Sequence, residues 1–266
     1  MNSRILRSSA VSVVALLALA ACGSSESATT SSGADIVNEG KLTVCSSLPY
    51  KPFEFQQSGE IVGFDVDLMK EVAKSLDLEV KYLITPFEGI QSGQALNTGQ
   101  CDIAAAGMTI TDARAKVIDF SDPYFDATQA LLVQKKDSYD SLESLAGKRI
   151  GVQTGTTGEI YTKENAPESA KIVVFEDLGL ETAAIKTGQV DAIVQDNGPL
   201  LDYAKANPDT KVTTEFDTGE QYGFGLKKGD SAELMKTTNE TIKKLKDSGK
   251  YDTIYKKWFG AAPEKS

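Results

Sequence analysis

Histidine is missing from these 266 residues. Its absence removes Ser–His and Cys–His catalysis, and every zinc site that uses imidazole. Positive charge is in deficit. Lys and Arg number 28 against 38 Asp and Glu, giving a formal net charge of -10. Such a chain is ill suited to a phosphate backbone, so nucleic acid is not an expected partner. A long hydrophobic run is also lacking. The apolar stretch at residues 10–21 is too short to span a bilayer comfortably. Cysteine is scarce, with Cys22, Cys45 and Cys101.

What is present at the N-terminus reads as an address. "MNSRILR" carries Arg4 and Arg7 ahead of the apolar run, and small residues follow. Leu19 stands three residues before Cys22 in "LAACG", which resembles a bacterial lipobox. The expectation is a lipoprotein signal peptide over residues 1–21 and a lipidated Cys22 as the first mature residue. An ordinary secretory signal is the alternative. Removing Arg4 and Arg7 leaves a net charge of -12. "GSSESATTSSGAD" is rich in Ser, Thr and Gly, so residues 22–40 are read as lipidated cysteine plus flexible tether. The protein is then expected on the extracytoplasmic face of the cell membrane, held by lipid without a spanning helix. Export permits a disulfide between Cys45 and Cys101, but two buried thiols fit equally well.

The body alternates strand-like and helix-like runs. "KLTVCSS", "EVKYLIT" and "CDIAAAG" read as strands, separated by "GFDVDLMKEVAKSLDL" and the weaker helical stretch "GIQSGQALNTG". "KRIGVQT", "AKIVVFE" and "VDAIVQD" repeat the pattern with helices between them. "ALNTGQCDIAAA" (95–106) matches "AIKTGQVDAIVQ" (184–195) in shape, which suggests internal symmetry. The expected fold class is α/β: two similar lobes, each with a mainly parallel sheet flanked by helices, joined by two crossing strands. Lobe one is assigned residues 41–128 and 222–266, and lobe two 129–221. "SAELMKTTNETIKKLKDSG" has one apolar helical face, and "YDTIYKKWFG" is a terminal helix with aromatic anchors.

In open α/β sheets a ligand sits beyond the carboxyl ends of the strands. There lies Arg114, a permanent cation whose fork fits a carboxylate. Gly107 and Thr109 share its segment. In lobe two, Gly155, Thr156 and Thr157 precede a helix, where free N–H groups favour an anion. Asp196 ends another strand and suits an ammonium group. Tyr50 and Phe87 supply aromatic walls. Each has a plainer alternative: a surface salt bridge to Asp112 or Asp119 for Arg114, a helix N-cap for Asp196, and core packing for the rings. Together they ask for a small zwitterion. No cofactor, metal site or catalytic residue is expected.

"YKPFEF", "GFDVDLMKEVAKSLDL", "GMTITDARAKVIDFSDPY", "GVQTGTTGE" and "VDAIVQDNGPL" resemble the polar amino-acid-binding proteins of ABC importers. The likeness spans about residues 41–260. It implies the periplasmic-binding-protein type II, or Venus flytrap, fold. It implies a monomer that captures a free L-amino acid and delivers it to permease subunits. Arg114, Thr109 and the Thr156/Thr157 loop would then hold the α-carboxylate. Asp196 and the Gly107 carbonyl would hold the α-ammonium, with Tyr50 and Phe87 lining the pocket. Relatives for cationic or amide side chains often carry Asp where this chain has Ser47. The remaining pocket candidates, Ser46, Ser47, Gln153 and Gln195, are neutral, so glutamine or glutamate is favoured. An inward Glu88 would instead favour a cation. The rivals are an enzyme of the same fold, resembling cyclohexadienyl dehydratases, and an amino-acid-sensing ectodomain.

Overall fold

The computed structural model describes residues 28–263. Residues 1–21, read as a signal peptide, and Cys22 lie outside the described residues.

Two five-stranded sheets with flanking helices form two lobes. The first sheet runs, in spatial order, Glu79–Ile84, Lys41–Ser46, Ile103–Ala104, Gly225–Lys227 and Ile118–Phe120. Its first three strands are parallel, and Gly225–Lys227 is antiparallel to both neighbours. The second sheet runs Lys171–Phe175, Arg149–Gln153, Ala192–Asp196, Phe125–Gln134 and Thr210–Tyr222. Again the first three are parallel and the rest antiparallel. In each lobe the first parallel strand lies between the second and third. This is the expected α/β architecture.

The repeated Thr-Gly-Gln-x-Asp passage does the same work twice. Asp102 accepts the Thr43 N–H at 2.6 Å, and Asp191 accepts the Arg149 N–H at 2.8 Å. Each aspartate, just before the third parallel strand, ties itself to the central strand. An unmatched N–H is costly once buried, which explains a carboxylate at both junctions.

Phe125–Gln134 carries the chain into lobe two, and Thr210–Tyr222 returns beside it. Phe125 pairs with Tyr222 at one end and Gln134 with Thr210 at the other. Where these strands leave lobe one, aromatic rings fill the interior. Phe53, Phe125 and Tyr222 contact one another, with centroids 4.9–5.4 Å apart. The terminal helix Lys250–Phe259 adds Phe259, 5.5 Å from Phe53. The helix Ala232–Asp247 buries Leu234, Thr238, Ile242 and Leu245, as its period requires.

Two local readings change. The weak helical stretch after Thr85 is two short helices, Phe87–Gln91 and Gln94–Asn97, separated by Gly93 at φ +76°. The tether expected over residues 22–40 is structured in its described part. Ala28–Thr29 pairs with Asp35–Ile36, Ala34 and Ile36 are buried, and Val37 N–H reaches Asp102. The two cysteines left open are joined as Cys45–Cys101, linking the central strand of lobe one to the turn before its third.

Candidate functional site

The carboxyl ends of the parallel strands in both lobes meet around a small, nearly closed cavity. Lobe one contributes Tyr50, Phe87, Ala106, Gly107, Thr109 and Arg114. Lobe two contributes Gln153, Thr156, Thr157, Gln195 and Asp196. The lobes are closed on each other. Tyr50 Oη donates to Asp196 Oδ2 at 2.6 Å, and Arg114 Nη2 donates to Gly155 O at 2.9 Å.

Arg114 sits on the one-turn helix Asp112–Ala115, whose N-cap Thr111 accepts the Arg114 N–H. It is only 5% exposed. Its Nη1 donates to Thr109 O at 2.7 Å, and its Cζ lies 5.2 Å from the centre of the Phe87 ring. The salt bridge weighed from sequence does not form: Asp119 pairs with Lys228 at 2.7 Å. Among the described residues Arg114 makes no ion pair. Burial lowers the guanidinium pKa, opposed by Asp196 and Glu220. A buried cation whose charge no contact neutralises is unfavourable, and a carboxylate would relieve it.

Asp196 ends the strand Ala192–Asp196 and occupies the N-cap position of helix Asn197–Ala206. Its side chain does not cap that helix. Instead Oδ2 accepts the Tyr50 and Tyr222 hydroxyls, and Oδ1 accepts Gln129 Nε2 at 2.5 Å. Burial, reinforced by Glu220, pushes its pKa up to about 6 despite these donors. Three donors leave lone-pair capacity for one more, such as an ammonium.

Gly107 has φ +51°, and a Cβ there would stand 2.6 Å from Tyr50 Cε1. Glycine is what lets Tyr50 lie over this loop. The Gly107 N–H donates to Asp65 Oδ2 at 3.1 Å, and Tyr124 donates to the same oxygen at 2.7 Å. Asp65 Oδ1 and both Glu54 carboxyl oxygens are buried without an N–H or hydroxyl partner. Burial, and then the Asp65 charge, raise the Glu54 pKa.

The helix Thr157–Asn165 begins at the cavity. The Thr156 hydroxyl donates to Gln153 O at 2.7 Å and accepts Glu159 N–H at 3.1 Å, so capping occupies it. Gln153 and Gln195 are buried, with Gln195 Nε2 donating to Gln153 Oε1 at 3.3 Å. Ser46, Ser47 and Glu88 are not among the lining residues. Ser46 Oγ donates to Ala105 O. Glu88 is exposed at the rim, where its Oε2 would lie 2.3 Å from a Cβ at Gly155.

The family described as "Bacterial extracellular solute-binding proteins, family 3" matches residues 42–261. The chain belongs to this family. It is 38% identical over 251 residues to a "Probable histidine-binding protein" of Neisseria gonorrhoeae, covering 91% of each chain. It is 37% identical over 266 residues to "ABC transporter glutamine-binding protein GlnH" of Bacillus subtilis (strain 168), covering 95% of this chain and 96% of that one. An ancestral arginine-binding protein, solved bound to arginine and bound to glutamine, is 43% identical with a TM-score of 0.78. That likeness covers 83% of this chain and 98% of the ancestral one.

Within this family-3 protein, several polar groups that bond to the lining residues from behind were not singled out from sequence. Gln129 and Tyr222 lie on the crossing strands, in runs read only as strand. Asp65 lies at the start of the helix Phe64–Ser75, in the run "GFDVDLMKEVAKSLDL". Glu220 accepts from Thr109 and Thr157, each at 2.7 Å, although nothing in "TGEQYG" marks it. The one usable signal was Gln129, a lone amide inside the apolar run "ATQALLV".

Proposed function

We propose that this protein captures a free polar amino acid between its lobes, glutamine first, and delivers it to an ABC permease. The observation that carries the reading is the pair Arg114 and Asp196. They are opposite charges from opposite lobes, both buried and both lining one cavity. A zwitterion satisfies both: its α-carboxylate on Arg114 and backbone N–H groups around Thr109 and Thr157, its α-ammonium on Asp196 and the Gly107 carbonyl. Tyr50 and Phe87 wall the aliphatic part. The lining holds no other charged side chain. Gln153 and Gln195 therefore suit an amide better than a second carboxylate, which would lack a partner.

One observation favours a second reading, arginine. Glu181 is fully buried on helix Leu178–Thr187, which packs against the strands bearing Gln153 and Gln195. Its carboxyl is pushed well up by burial and would ionise beside a guanidinium. The reading as a binding protein and not an enzyme rests on the charge pair and on relatives named as binding proteins.

The lobes are taken as 41–128 with 222–266, and 129–221, closing about the crossing strands as a monomer. Cys22 is proposed to carry the lipid that holds the protein at the extracytoplasmic face. Replacing Cys22 by Ser should release it from the membrane fraction.

The deciding experiment is thermal unfolding of residues 23–266, which omit Cys22, against each common amino acid and cystine. A ligand at 100 times its Kd adds about 2.7 kcal/mol to the folded state. L-Glutamine is expected to give the largest shift. A larger shift with L-arginine, cancelled by Glu181→Gln, would establish the second reading. No shift with any amino acid would refute both.

A further inference from the structure

We propose that Glu220 is a clasp between the lobes, a residue that sets how long a bound molecule is held. The inference rests on the reading of the cavity as the capture site. Glu220 lies on the returning strand Thr210–Tyr222, beside a register irregularity between Phe216 and Glu220. Its Oε2 accepts the Thr109 hydroxyl of lobe one and the Thr157 hydroxyl of lobe two, each at 2.7 Å. Its Oε1 accepts Gln129 Nε2 and the Thr218 hydroxyl, each at 3.0 Å. One carboxylate thus gathers four donors at the seam.

These bonds divide by what happens on opening. Thr109 is bridged to Tyr222 through the backbone, and Ile110 N–H bonds Gln221 O at 2.8 Å. Although the lobe-two range runs to 221, Glu220 pairs with Ala127 of lobe one and lies next to this bridge, so it stays beside Thr109 when the helix Thr157–Asn165 moves away. Thr157 is the first residue of the lobe-two helix Thr157–Asn165 and arrives only when the lobes close. The Thr157–Glu220 bond belongs to the closed form, so it favours that form. It is charge-assisted and only partly solvated, which makes it stronger than a neutral bond at the surface.

A second consequence concerns the ligand. A hydroxyl has one hydrogen. Thr109 and Thr157 both spend theirs on Glu220, and Thr157 also accepts Gln129 Nε2 at 3.2 Å, so neither hydroxyl has a hydrogen left for a ligand. A ligand carboxylate is left to Arg114 and backbone N–H groups.

The test uses the full chain with Glu220→Ala, Glu220→Gln and Thr157→Val. Stopped-flow release of L-glutamine and L-arginine is measured for each. Glu220→Ala should release whichever one binds at least tenfold faster, with association within about threefold, because affinity differences within one interface reside chiefly in release. Glu220→Gln keeps one acceptor oxygen and should fall between. Thr157→Val should cost much in the wild-type background, little beside Glu220→Ala, where the shared bond is already gone, and an intermediate amount beside Glu220→Gln. Additive losses, or release within twofold of wild type, overturn the clasp. Should neither amino acid bind the wild type, the ligand reading fails while the clasp is still read by small-angle scattering. A larger radius of gyration for the ligand-free Glu220 variants then supports it, and superimposable curves sink it. If Glu220→Ala does not fold, Glu220→Gln and Thr157→Val carry the same comparison.

Discussion

Arg114 donates to two carbonyls, one in each lobe, and makes no ion pair among the described residues. A hydrogen bond to a charged group contributes roughly 1.5–3 kcal/mol. Arg114→Ala should therefore weaken amino-acid binding by about tenfold to a hundredfold. Arg114→Lys should recover little of it, since an ammonium cannot reach both carbonyls and a carboxylate in one plane. Calorimetric titration checks both, and near-wild-type affinity in Arg114→Ala would contradict the assignment. Asp196 supplies a pH dependence. Its folded pKa of about 6 lies above the ordinary 3.8, so its contribution to folding is greatest in acid and is lost as pH rises through about 6. Ligand binding runs the other way, because an ammonium needs the ionised carboxylate. Affinity should be flat above pH 7 and fall by about tenfold per unit below pH 6. Calorimetry at pH 5, 6 and 7.5 checks this; a rise in affinity toward pH 5 would contradict it.

At the scale of strands and helices, the disulfide is the clearest case for a stability prediction. Cys45 and Cys101 are buried beside Phe87, Ile90 and Leu96, and their link spans 56 residues of chain. Replacing both by Ala should cost about 2–5 kcal/mol, read as a lower urea midpoint with dithiothreitol having no further effect on the variant. Its location shows what sequence can and cannot reveal. That Cys45 lies in a strand was legible from "KLTVCSS". That Cys101 faces it depends on the register Cys45↔Ala104, a long-range pairing with no local mark. The alternation of elements, the two lobes and the Thr-Gly-Gln-x-Asp repeat were legible because periodicity and turn chemistry are local. The hairpin Ala28–Thr29/Asp35–Ile36 was not, since only Ala34 and Ile36 bury apolar surface within a polar run. Asp196 was legible because it ends an apolar strand run, and Gly107 and Arg114 because they lie in the segment that follows the strand Ile103–Ala104. The directions of the Ser46 and Glu88 side chains were not legible: one turns to a backbone carbonyl, the other to the rim. Glu220 was invisible because its partners come from two distant segments.

At the scale of the whole molecule, the charges of the site are divided between the lobes. Lobe one brings the cation Arg114, and lobe two brings the anion Asp196. When the lobes part, each returns to water and neither half-site alone satisfies both ends of a zwitterion. The ligand therefore binds the closed form far better than the open one, and only such a difference can move the equilibrium. On the proposed reading closure occurs about the crossing strands Phe125–Gln134 and Thr210–Tyr222, which the Phe53–Phe125–Tyr222 rings anchor at the lobe-one end. Small-angle scattering of the ligand-free protein should show a larger radius of gyration than the protein saturated with L-glutamine, or with L-arginine if that binds. Arg114→Ala should stay in the larger form at concentrations that close the wild type, and close only when the amino acid is raised by the factor its affinity has lost. Closure of Arg114→Ala at wild-type concentrations would place the coupling elsewhere in the seam. An unchanged radius in the wild type, despite calorimetric binding, would mean that the ligand enters a form already closed, with the two charges held together before it arrives.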